Sequence, residues 1–180
     1  MKNTWLKENH IKTGNNYVSW EIASDNLDLA ANILKTSREN IELGELYTGD
    51  PVPPEIGLVQ TELFLRGSSL ECIMKALYLK LLRGDLVDSD GYKKIPSVGE
   101  HDLVQLAKAV GIESNEKELF LLSRLTLYAK MGRYPIPKKW QDDFMRNWPE
   151  GGGLVFGWFL IEDHELYQRF RNNIKKLLSK

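Results

Sequence analysis

Residues 55–83 read EIGLVQTELFLRGSSLECIMKALYLKLLR. Ile56, Val59, Leu63, Gly67, Leu70, Met74, Leu77 and Leu81 recur at steps of three and four, the spacing that places them on one face of an α-helix. Phe64, Leu65, Ile73, Leu79 and Leu82 widen that face on its flanks, so the segment reads as a central helix touched by neighbours on more than one side. Pro54 stands at the favoured first-turn position and Gly84 closes the run. Gly67 in the interior costs about 1 kcal/mol relative to alanine, which predicts a second backbone approaching closely there.

Working outward, Tyr17 to about Tyr47 holds no proline and no glycine before Gly44, and Trp20, Ala23, Leu27, Ala30, Ile33 and Leu34 mark an amphipathic stripe. The turn residues Thr48-Gly49-Asp50-Pro51 end it. Residues 1–16 are polar and aperiodic and read as a flexible lead-in. Downstream, 85–100 is a polar connection, and a short helix follows from about Asp102 to Val110, closed by Gly111. Asn115 and Glu118 form a capping-box pattern for a helix reaching Met131. An aromatic-rich stretch at about 138–161 is interrupted by Gly151-Gly152-Gly153 and has room for a short helix near 141–147. The last helix runs from about Asp163 to Leu178 on Leu166, Phe170, Ile174 and Leu177 or Leu178. The expected fold class is therefore all-α, an up-and-down bundle of four main helices plus a short fifth, in one domain over 17–180.

The chain has 180 residues with 24 basic and 25 acidic side chains and a formal net charge of −1, so any nucleic-acid or phosphate site has to be a local patch. One cysteine, Cys72, leaves no intramolecular disulfide and points to a reducing, cytoplasmic setting, with a buried helical thiol as its ordinary role. The N-terminal segment lacks the apolar run of a signal peptide. The longest apolar run, Leu154 to Ile161, is far short of the roughly 20 residues a membrane helix requires. His10, His101 and His164 show no metal-ligand spacing, the triple glycine is not followed by a lysine-serine pair, and neither a metal nor a cofactor is expected.

Three blocks in order carry a family resemblance: Ser69 to Ala76-Leu77, then His101-Asp102-Leu103 opening a short helix, then Leu121, Leu125 and Tyr128 leading into Gly132-Arg133-Tyr134-Pro135. Together with the long first and last helices, this resembles the HEPN family over about residues 17–178, with 138–161 as an insertion. The resemblance implies a helical bundle that often forms homodimers, and a role as a nucleotide-binding module, as the partner of a nucleotidyltransferase in a toxin-antitoxin or defence system, or as a ribonuclease. Ribonuclease members carry an arginine followed, after four to six residues, by a histidine. No arginine of this chain has a histidine in that window.

Several residues are candidates for chemistry. His101 opens a helix, whose positive end favours a neutral imidazole fit to act as an acceptor or general base; with Asp102 it is equally suited to capping. Arg133 offers a planar fork for a phosphate or for helix-end carbonyls, and Tyr134 a ring for stacking. Glu62 with Arg66, and Glu71 with Lys75, are acid-first pairs four apart. The resemblance implies that Arg66, Lys75, Asp102, Arg124, Arg133 and Tyr134 share a ligand groove, with His101 the catalytic candidate. The expected function is binding of a nucleotide or RNA. The alternatives are a divergent metal-independent ribonuclease, and a non-catalytic protein-interaction module using Trp140, Trp148 and Trp158.

Overall fold

The computed structural model describes residues 2–39, 54–82, 84–96, 98–99, 101–131 and 161–180. Among them are six helices: α1 (Lys2–Gly14), α2 (Tyr17–Glu39), α3 (Pro54–Leu82), α4 (Leu103–Ala109), α5 (Glu116–Met131) and α6 (Ile161–Leu178). A two-residue antiparallel ladder, β1 (Val87–Asp88) with β2 (Gly91–Tyr92), pairs Val87 with Tyr92 and Asp88 with Gly91 between α3 and α4. The described architecture is a helical bundle built round α3, which packs against α2, α4, α5 and α6.

Helix α3 is central because its apolar face is wide. Leu63, Leu70, Ile73, Met74, Ala76 and Leu77 are buried, so both the stripe and its flank are covered, whereas Leu81 near the C-terminal end is 52% exposed. Leu121, Leu122 and Leu125 of α5, Phe170 and Ile174 of α6, and Leu103 and Leu106 of α4 close the same core. Gly67 permits the close approach its position suggested: a Cβ there would lie 2.8 Å from the backbone oxygen of Leu125.

The local signals of the last helices hold in detail. Asn115 Oδ1 accepts from Glu118 N at 3.0 Å while Glu118 Oε2 accepts from Asn115 N at 3.0 Å, the reciprocal capping box. Asp102 caps α4 by accepting from Gln105 N at 3.0 Å, and Gly111 follows that helix at φ +74°. In the connection that reads only as polar, Asp88 Oδ1 accepts from Asp90 N at 2.8 Å and Gly91 adopts φ +120°, which turns the chain into a hairpin too short to show a period of two.

Two expectations need correction. Residues 2–14, read as a flexible lead-in without a helical period, form a helix; α1 has Trp5 and Leu6 exposed and no apolar face to read, and it is held at its C-terminal end, where Ile11 packs on the core and Asn15 bonds β1. The face of α2 that is buried is Ser24, Asp28 and Ala31, while Ile33 of the expected stripe is 58% exposed, together with Ile22 and Leu29. Buried arginines on α3 and α6 require anionic partners, and that requirement outweighs a few exposed aliphatic groups.

A methyl group on Gly67 gains about 1 kcal/mol of helix propensity. Overpacking against a fixed backbone costs about 1 to 3 kcal/mol. Gly67→Ala is therefore expected to lower the free energy of urea unfolding by about 1 kcal/mol; an increase would mean that α5 yields freely at this contact.

Candidate functional site

One face of α3 remains outside the core. Phe64, Ser68, Glu71, Cys72 and Lys75, spaced three and four apart, form the floor of a cleft of about 560 Å³. Its facing wall is Tyr92 of β2, then Lys93, Lys94, Ile95, Val98 and Gly99, then His101 and Asp102 before α4; Trp20 of α2 closes one end. Of the candidates read from sequence, the structure brings together Lys75, His101 and Asp102 here.

Glu71 organises the charges. Its Oε1 accepts from Lys75 Nζ at 2.5 Å, and its Oε2 lies 2.8 Å from His101 Nδ1. Burial by itself would push the Glu71 carboxyl up, but the hydrogen bond from His101 and the charge of Lys75 outweigh it and hold the pKa at about 2. The carboxylate is ionised at neutral pH and can only accept, so Nδ1 is a ring nitrogen that carries a hydrogen, and Nε2 is the one Glu71 leaves unengaged. Nε2 makes no hydrogen bond among the described residues, and the ring lines the cleft. His101 is also the one non-glycine residue at positive φ among the described residues, at +54°, a conformation that turns the chain sharply just before the Asp102 cap.

Lys75 is enclosed. Its Nζ lies 5.1 Å from the Trp20 ring centroid and 4.9 Å from that of Tyr92, and the two rings meet edge to face at 5.8 Å. Burial disfavours the ammonium, but the Glu71 carboxylate, and after it the Tyr92 hydroxyl, overcome this and raise the Lys75 pKa. Burial, then the charge of Glu71, push the Cys72 thiol up to about 11, so it stays protonated and is not an activated nucleophile. Lys93 pairs with Asp88 at 3.4 Å but remains 44% exposed, while Lys94 is exposed and enters no ion pair among the described residues.

The remaining candidates lie elsewhere. Arg66 is 1% exposed, on the other side of α3: it donates to Glu62 Oε1 at 2.9 Å and Asn32 Oδ1 at 3.1 Å, reaches Asp28 Oδ1 at 3.5 Å, and stacks 4.9 Å from the Tyr167 ring centroid. Arg124 pairs with Asp163 at 2.9 Å and sits 5.7 Å from the Phe120 ring centroid. Both arginines tie helices together and neither lines the cleft. Arg133 and Tyr134, with the aromatic stretch up to residue 160, lie outside the described residues. Trp20, Tyr92, Lys93 and Lys94 were missed; the signal was the Tyr92-Lys93-Lys94 run directly after the Asp90-Gly91 turn. Among the described residues no group of histidine, cysteine or carboxylate side chains could hold a metal ion, and no helix is long and apolar enough to cross a membrane.

The fold and the site thus define a helical protein with an aromatic and lysine-rich cleft arranged round a carboxylate–histidine pair. No family model matches the chain, and no curated protein or solved structure matches it.

The Arg66 network contains the third histidine. His164 Nε2 is 3.6 Å from Glu62 Oε1; burial, then the charges of Arg66, Lys35 and Arg38, lower its pKa to about 3. Its folded pKa lies below the ordinary 6.5, so the neutral ring stabilises the fold fully above pH 6.5, and that contribution is lost as pH falls from 6.5 towards 3. In urea titrations across this window, His164→Gln is expected to flatten the fall in stability between pH 6.5 and 5, where carboxylates contribute little; an unchanged slope would remove His164 as its source.

Proposed function

We propose that the protein is a HEPN-like bundle that binds a nucleotide or a short segment of RNA in the cleft between α3, the hairpin and the His101 turn. The observation that carries this reading is the arrangement of Tyr92, Trp20, three lysines and an open imidazole nitrogen round one cavity of about 560 Å³. Tyr92, 52% exposed, presents a ring on which a base can stack. Lys94, with the half-exposed Lys93 that pairs with Asp88, supplies positive charge at the rim, where a phosphate is steered, while Lys75, already compensated by Glu71, contributes mainly to the shape of the wall. Pairing with a nucleotidyltransferase, and homodimer formation, belong to the same reading and rest on the family resemblance.

A second reading is favoured by one contact. A carboxylate that fixes Nδ1 and leaves Nε2 open is the arrangement of a general base. On RNA, His101 Nε2 would take the proton of a ribose 2′-hydroxyl as its oxygen bonds to the adjacent phosphorus and the 5′-oxygen leaves with a proton from water, with no metal in the step.

Calorimetry with AMP and with a ten-nucleotide mixed-sequence RNA tests the binding reading. Tyr92→Ala is expected to weaken binding about tenfold, and Lys94→Ala to reduce the slope of log affinity against log salt by about 1. Salt-independent binding, or none for either probe, would refute it. For the nuclease reading, purified protein should cleave mixed RNA in the presence of a chelator, with activity abolished in His101→Ala and reduced in Glu71→Gln; cleavage surviving in His101→Ala would exclude that base.

A further inference from the structure

We infer that Asn15, with the adjoining Gly14, is a positioning residue that assembles the aromatic wall of the cleft; its importance for ligand binding rests on the reading of that cleft given above. Asn15 Oδ1 accepts from Leu86 N at 2.7 Å and from Val87 N at 2.9 Å, and its Nδ2 donates to Val87 O at 2.8 Å. One primary amide thereby satisfies three backbone groups of the segment that enters and forms β1, more than seventy residues away in sequence. It acts as a surrogate for a third strand, on a ladder of two residues that has little stability by itself.

The same turn holds the second ring. Trp20 Nε1 donates to Gly14 O at 2.8 Å. The two rings that flank Lys75 are therefore both referred to residues 14 and 15: Trp20 directly, and Tyr92 through its pairing with Val87. Gly14 is required by space, because a Cβ there would lie 2.3 Å from Val87 Cγ2 and 2.9 Å from Val87 Cβ. Asparagine is required by chemistry: an aspartate cannot donate to Val87 O, and it would set two oxygen acceptors against each other. Neither residue lines the cleft, so their effect on a ligand passes through Trp20 and Tyr92.

This arrangement makes the chemical reactivity of Lys75 a reporter of the wall, independent of any ligand. With the rings in place and Glu71 bonded, the Lys75 ammonium is enclosed and resists deprotonation. The experiment is brief acetylation with an N-hydroxysuccinimide ester, read by peptide mass spectrometry against exposed Lys108, on wild type, Asn15→Ala, Asn15→Asp and Gly14→Ala, with circular dichroism to verify helix content. Wild-type Lys75 is expected to label slowly, and Asn15→Ala and Gly14→Ala to raise its labelling about tenfold, with Asn15→Asp intermediate. In parallel, affinity for AMP should fall about tenfold in the two alanine variants. Unchanged Lys75 labelling in Asn15→Ala and Asn15→Asp with helix content preserved overturns the inference, as does undiminished AMP affinity in Asn15→Ala when Tyr92→Ala weakens binding. If wild type fails to bind AMP, the labelling ratio still decides whether residues 14 and 15 hold the wall, and the failure falls on the binding reading alone.

Discussion

The carboxylate of Asp28 is the point on which the packing of three helices depends. It lies on α2, is 9% exposed, accepts from the Tyr167 hydroxyl at 2.9 Å, and faces Arg66 at 3.5 Å and Arg171 at 3.7 Å. Without it two buried guanidinium groups would lose a shared counter-charge, a defect that typically costs about 3 to 5 kcal/mol. Arg171 adds bonds to Ser69 and Ser24, and pairs with Asp25, so α2, α3 and α6 meet through polar groups whose mutual bonding restricts how the three helices can pack.

That geometry has a consequence across the bundle. By fixing the rotation of α3 against α2, it turns Glu71 and Lys75 away from the network and toward the hairpin, and brings Trp20 to the end of the cleft. The two sides of α3 then use the same residue types differently. Arg66 with Glu62 is enclosed on every side and structural; Glu71 with Lys75 is enclosed on one side and opens, through His101, into a cavity. Lys75 is compensated by Glu71 and Lys93 by Asp88, which leaves Nε2 of His101 and the rim charge of Lys94 as the groups with most bonding capacity to offer.

The features legible in the sequence were those that depend on a few neighbouring residues. The Asn115–Glu118 box, the Asp102 cap, the glycine after α4 and the close approach at Gly67 all involve local spacing or a missing side chain, and each is where its residues place it. His101 and Lys75 were legible as candidates, but Glu71 as the group that joins them was visible only as the partner of a helical ion pair. Arg66 and Arg124 were not legible in the same way: an arginine on a helix looks the same whether it meets a phosphate or a carboxylate 38 or 39 residues away.

By itself the sequence determined the helical class, the position of the central helix and most helix ends, because period, capping and turn chemistry act over distances of a few residues. Tertiary structure alone decided which face of α2 is buried, that α1 is a helix, and which charged residues share the cleft. Those outcomes depend on contacts such as Asn15 with Val87 and Asp28 with Tyr167, made between residues 72 and 139 positions apart. Their energies come from desolvating and pairing polar groups in a shared interior, a quantity that no local window of sequence contains.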